Sequence, residues 1–217
     1  MSRFSLSAAT LAAFCTVVPL AHAALITDPV GDFLATYTGP KNGDMDVLSA
    51  QVFYDGTNFT FFNSQNGAVG TTPGGVYVWG VNRGTNLAPF GAFAPGVLFD
   101  AVVILESNGT GLVIDITGAV PTVALPAANV IINGNTIEGI VSASLLKSLG
   151  FSPENFGVNV WSRDGLASGA AGLAQIADFA PNNSDAAVTT PEPATGLLLG
   201  SVMGLAAFLR RLQKRAA

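Results

Sequence analysis

Five aspartates carry the most distinctive chemistry in this chain of 217 residues. Asp28 and Asp32 bracket Pro29-Val30-Gly31, Asp44 and Asp46 follow Gly39-Pro40-Lys41-Asn42-Gly43, and Asp178 stands near the far end. Carboxylates set in Gly-, Pro- and Asn-rich loops offer hard oxygen ligands on irregular backbone, a common way of holding Ca²⁺. The spacing is not that of an EF-hand loop, and no nonapeptide calcium repeat is present. Asx turns account for the same residues without a metal, because Asp bonds readily to its own backbone two residues on. Both readings stay open on the sequence.

Other catalytic chemistries are thin. The N-terminus has Arg3, an apolar run from Leu6 to Leu20, and Ala21-His22-Ala23 before Ala24. That is the pattern of a secretory signal peptide covering residues 1–23, with cleavage after Ala23. Acylation at Cys15 is the competing reading, but Phe14 sits where a small residue is expected. Cys15 and His22 are the only cysteine and histidine, and both leave with the peptide. What remains has no disulfide, no Cys–His or Ser–His pair and no soft zinc ligand. Glu106, Glu138, Glu154 and Asp115 could supply a carboxylate pair for glycoside hydrolysis, yet no spacing singles out two of them. The chain reads as a non-enzyme.

Charge narrows the partners. Between Ala24 and Thr190 the basic residues are Lys41, Arg83, Lys147 and Arg163, against thirteen acids, a net charge of about −9. Nucleic acid needs a basic surface and is excluded. Sugar binding needs exposed aromatics, for which Tyr37, Tyr77, Trp79, Phe90, Phe93 and Trp161 are candidates. Trp79 and Trp161 lie in strand-like runs where core packing is the commoner fate, whereas Phe90 and Phe93 lie in a long connection. Arg83 and Arg163 each follow a Trp-containing run, where a surface salt bridge is the ordinary expectation and a cation placed for a ligand's acid group the alternative. Ice binding would show ranks of Thr-x-Thr, but Thr36-Tyr37-Thr38 stands alone.

The elements that must position these residues are short strands. Met45 to Tyr54 alternates, Asp55-Gly56 is a hairpin signal, and Asn58 to Asn63 is the return strand. Val76 to Val81 is β-branched and aromatic. Val97 to Glu106 and Leu112 to Ile116 flank Ser107-Asn108-Gly109-Thr110, and Val130 to Ile132 and Thr136 to Val141 flank Asn133-Gly134-Asn135. Phe156 to Trp161 and Leu173 to Phe179 complete nine or ten strands. Ser144 to Leu149, with a Ser cap and Gly150 as stop, predicts one short helix. The fold class is therefore all-β: an antiparallel two-sheet β-sandwich over residues 24–181. A polar linker over 182–190 follows.

The last stretch is organised differently. Pro191-Glu192-Pro193-Ala194-Thr195 precedes a fourteen-residue run, Gly196 to Leu209, apolar but for Ser201, and then Arg210-Arg211-Leu212-Gln213-Lys214-Arg215. As a helix the apolar run spans about 21 Å, short of a hydrocarbon core of about 30 Å. The basic end, Arg210, Arg211, Lys214 and Arg215, favours the cytoplasmic side. Motif, apolar segment and basic end over residues 191–217 resemble the PEP-CTERM sorting signal of Gram-negative bacteria. The resemblance implies signal peptidase and exosortase as processing partners, passage through the inner membrane on a transient tail helix, and delivery to the cell surface or extracellular matrix.

A second resemblance covers about Ile26 to Pro181. Asp28-Pro29-x-Gly31-Asp32, Asp46-Val47-x-x-Ala50-x-Val52, Tyr54-Asp55-Gly56, Ser144-Leu145-Leu146, Val158-Asn159-Val160 and Ala177-Asp178-Phe179-Ala180-Pro181 are similar, in order, to sandwich domains related to family 9 carbohydrate-binding modules and DOMON-like domains. It implies that the opening acids, Asp28, Asp32 and Asp46, serve a calcium site. The expected function is a secreted, non-catalytic envelope or matrix protein, adhesive or exopolysaccharide-associated. The alternative is a carbohydrate-binding module with structural calcium, its polysaccharide contacted by Trp79, Phe90, Phe93 or Trp161.

Overall fold

A computed structural model describes residues 25–167 and 172–190. The signal peptide with Ala21, Ala23 and Ala24, the sorting motif and the apolar tail lie outside the described residues. Residues 22–191 form one compact unit that holds both sheets. Among the described residues no helix is long and apolar enough to cross a membrane.

Among the described residues, twelve strands build two antiparallel sheets. The first holds β1 (Ile26–Thr27), β2 (Val47–Tyr54), β3 (Asn58–Gln65), β8 (Val130–Asn133) and β9 (Thr136–Ser142), in the order β1-β2-β3-β9-β8. The second runs β11-β10-β4-β5-β6-β7, from β11 (Ile176–Ala180) and β10 (Gly157–Asp164) through β4 (Gly75–Asn82), β5 (Ala101–Glu106) and β6 (Gly111–Asp115) to β7 (Val123–Leu125). β12 (Ala186–Ala187) adds to the outer edge of β10.

The three hairpins form where the turn chemistry placed them. Asp55 Oδ1 accepts the Thr57 and Asn58 N–H groups, and Gly56 takes φ +95°, a conformation that costs an L side chain dearly. Asn108 Oδ1 likewise takes the Thr110 N–H. In β2 the alternation is broken once. The register with β3 slips between Val47 and Ser49, and this bulge buries Val47 as well as Ala50 and Val52.

Between the sheets lies a core of Phe59, Phe61, Tyr77, Trp79, Val103, Leu105, Ile137, Phe156 and Val160 with their neighbours. Burying each such side chain is worth about 1.5–3 kcal/mol. Phe59 stacks on Phe156, and Phe61 tilts against Trp79. The second sheet is apolar on its outer face too: Val78, Val102, Trp161, Ile176 and Phe179 form another buried cluster with Ala94, Val97 and Phe99 from the connection between β4 and β5. That connection folds back over the sheet as a third, partial layer.

Several expectations are corrected. The helix over Ser144–Leu149 is only a 3₁₀ turn, Ala143–Leu145. The backbone then leaves the helical path, because the Leu149 and Phe151 N–H groups both donate to the Arg83 carbonyl. Two turns of helix have too little internal stability to resist such contacts. The last strand starts at Ile176 rather than Leu173, after a 3₁₀ turn Leu173–Gln175. Residues 182–190, expected to leave as a polar linker, run along the domain. β12 pairs with β10, Val188 and Thr189 are buried, and Thr189 bonds Val52 through backbone and hydroxyl. Polar composition here meets open strand edges, and pairing with them satisfies its backbone.

Candidate functional site

The chain brings three of the five aspartates together. Asp28 follows β1, Asp32 closes the first turn, and Asp178 stands in the middle of β11 in the other sheet. One carboxylate oxygen from each lies within 4.8 Å of the others. Asp178 is fully buried, and its Oδ2 accepts the Val47 N–H at 2.9 Å. Its Oδ1 has no partner, nor do Asp28 Oδ2 and Asp32 Oδ1, although all three atoms are shielded from solvent. A buried acceptor left unpaired costs about 1–3 kcal/mol, and more when charged, so three at one spot call for a counter-charge.

Protonation follows from that geometry. Burial, then the charge of Asp32, pushes Asp28 up to about 7, while its contact with the Asp178 carboxyl works the other way without offsetting them. Burial, then the charge of Asp28, pushes Asp178 up to about 9, against the lowering effect of the Val47 N–H. Without a cation, protons hold the cluster together. A divalent cation would do so with the carboxylates ionised.

The donor set fits Ca²⁺. Three hard oxygens within 4.8 Å can share one ion with Ca–O distances of about 2.3–2.6 Å. Irregular backbone around Asp28-Pro29-Val30-Gly31-Asp32 suits a cation that takes carbonyls and waters for its remaining positions.

Asp44 and Asp46 are not members of this cluster, contrary to the sequence expectation. Asp46 spends both oxygens on the Gly31 N–H (3.0 and 2.9 Å) and accepts the Asn66 side-chain amide. It thereby shapes the turn that presents Asp28 and Asp32. Asp44 takes the Thr72 N–H and hydroxyl, each at 2.7 Å, and locks its own turn to the loop before β4. Both carboxylates cross-link loops that are distant in sequence, and every oxygen of each accepts at least one hydrogen bond. Loop sequence alone does not separate these roles, because the discriminating partner, Asp178, is about 150 residues away along the chain.

The aromatic candidates also separate. Trp79 is fully buried between the sheets and its indole Nε1 has no partner, so it presents no platform to a sugar. Trp161, one strand away and on the opposite face, lies under Phe90 and Phe99 with ring centroids 5.2 and 5.1 Å distant. Phe93 packs against Phe179. Phe90 and Trp161 line a cleft of about 400 Å³ on the outer face of the second sheet; Trp79 and Phe93 do not. Strand periodicity explains the split: Val160 and Trp79 are register partners facing inward, which puts Trp161 outward.

The two arginines fare differently as well. Arg83 is buried rather than at the surface, its Nε 2.6 Å from Asp100 Oδ1 and its Nη2 3.1 Å from Asp115 Oδ1. It clamps the two ends of the connection that covers the outer face. Arg163 lines the cleft, with Nε and Nη2 both donating to Gln175 Oε1. Glu106 is occupied by Asn108 and Thr110 in its hairpin, and Asp115 by Thr117 and Arg83.

No protein-family model matches the chain, and no curated protein matches it in sequence.

Proposed function

We propose that this chain is an exported, non-catalytic β-sandwich that a calcium ion ties together at Asp28, Asp32 and Asp178, and that its C-terminal signal delivers to the cell surface or matrix. One observation supports the calcium part: carboxylates from two chain segments, Asp28 and Asp32 in the opening turn and Asp178 in β11, converge within 4.8 Å, and each keeps one solvent-shielded oxygen without a hydrogen-bond donor among the described residues. The ion would join the opening loop of the first sheet to β11 of the second. Its chemistry there is charge neutralisation and cross-linking. Asp46 orients the loop, and Val47 fixes the Asp178 carboxylate. Acidity suits a protein working where millimolar calcium is available.

Calcium is tested by thermal melts of the purified protein with Ca²⁺ and with chelator. A midpoint that does not move would sink the site. Delivery rests on the motif Pro191-Glu192-Pro193-Ala194-Thr195, the apolar run and the basic end. Replacing Pro191, Glu192 and Pro193 by alanine should redistribute the protein between membrane and surface fractions, and an unchanged distribution would remove the sorting reading. Carbohydrate binding, the alternative, keeps only Trp161 and Phe90 of its proposed platform, and these rings meet edge to face inside a cleft rather than side by side on a flat surface. Polysaccharide retention on an affinity gel tests it directly.

A further inference from the structure

A solvated sandwich normally turns a polar face outward, but the second sheet does not. Val78, Val102, Ile104 and Ile114 project outward beside Trp161. The connection between β4 and β5 covers one part through Phe90 and Phe99, and the segment Gly172–Ile176 covers another. Between these covers remains the cleft of about 400 Å³, within the usual size range of small-molecule sites. Its walls are almost wholly apolar. Arg163 is the single charged side chain among the lining residues, and no Asn, Gln, Asp or Glu lines it.

Arg163 is the cation that lines the cleft. Arg83 is consumed by Asp100 and Asp115, and Lys41 sits over the Phe33 ring. Among the described residues no carboxylate lies within ion-pair distance of Arg163, despite the large excess of acids. Its guanidinium is instead held in place by a neutral acceptor, Gln175 Oε1, at 3.1 and 2.7 Å. Gln175 is fixed in turn by donating to the Gly165 and Ala167 carbonyls. An oriented guanidinium at an apolar wall selects a ligand that pairs an anionic head with an apolar body. A polyol would lose its hydrogen bonds to water here and find one cation in return.

We infer that the cleft over Trp161 binds an amphiphilic monocarboxylate, its chain against Val78, Val102, Ile104 and Ile114 and its carboxylate on Arg163. This does not rest on the calcium reading: Ile176 and Asp178 share β11, but Ile176 lines the outer cleft whereas Asp178 accepts the Val47 N–H. The test titrates the full chain, saturated with Ca²⁺, with decanoate and with decanol, reading tryptophan fluorescence and heat. Trp79 and Trp161 are the only tryptophans, and Trp79 is sealed in the core. Decanoate should bind about tenfold or more tightly than decanol, the discrimination a charge-assisted pair gives. Arg163→Gln should remove that preference while decanol binding and the melting midpoint stay unchanged. Equal affinity of the two ligands, no binding of either, or a preference that survives Arg163→Gln would overturn the inference.

Discussion

Calcium at the Asp28–Asp32–Asp178 cluster must displace protons, and that fixes how affinity depends on pH. Asp28 is pushed up to about 7 and Asp178 to about 9, against an unfolded value of about 3.9. The sign follows from linkage. A carboxyl raised in the folded state stabilises the fold fully below the unfolded pKa, and that contribution is lost as pH rises through the folded values. In chelator these two groups therefore make the midpoint fall from about pH 5 to pH 9. Bound Ca²⁺ keeps both ionised and cancels the fall. Because both carboxyls are raised, binding should release more protons near pH 6 than near pH 8, and Kd should tighten as pH rises between them. At a hundred times Kd the ion adds about 2.7 kcal/mol, or about 5–11 °C for a domain of this size. Calorimetry in buffers of different ionisation enthalpy counts the protons directly. Asp178→Asn keeps an acceptor for the Val47 N–H but removes the charge. It should abolish the calcium response and leave the metal-free protein no less stable at pH 8 than the parent. Equal calcium increments at pH 6 and pH 8, or a full response in Asp178→Asn, would refute the reasoning.

Arg83→Met leaves Asp100 and Asp115 as buried, unpaired acids and should cost about 3–5 kcal/mol, a drop of about 6–20 °C by calorimetry. Adding Asp100→Asn should recover part of it, and a loss under 1 kcal/mol would mean the ion pair is not what holds the covering loop. Gly80→Ala places a Cβ 2.9 Å from the Trp161 ring and 3.1 Å from Phe99. That overpacking should cost about 1–3 kcal/mol and shift the Trp161 emission, whereas an unchanged spectrum would contradict the tight approach of strand and ring.

Much of the sandwich was legible in the chain because its signals are local. Asp55-Gly56, Asn108-Gly109 and Asn133-Gly134 each set a hairpin through a positive φ at the glycine, the first two with a short Asx bond as well, and period-two apolar runs on either side gave the strands a face to bury. Antiparallel pairing follows from such turns without reference to the rest of the molecule. The short strands β1, β7 and β12 were not legible. Two or three residues carry no periodicity, and they exist only because a neighbouring edge offers backbone partners. The Ser144–Leu149 helix failed for the converse reason: a good local signal was overridden by the Arg83 carbonyl, a partner distant in sequence.

Composition alone decided that the domain is acidic and that no cysteine or histidine lies beyond residue 23. Which aspartates act together was decided only in three dimensions. Four of the five sit among Gly, Pro and Asn near turns, yet Asp44 and Asp46 have each oxygen engaged by Thr72, Gly31 or Asn66, while Asp28 and Asp32 meet Asp178 of β11 with an oxygen of each to spare. The fates of Trp79 and Trp161 were decided in the same way. Adjacent strands fixed which ring entered the dry core and which was left on the outer face, where a folded-back connection turned an apolar wall into a cleft. Ligand sets and cavities are made of contacts between segments far apart in sequence, and only the tertiary fold supplies those distances.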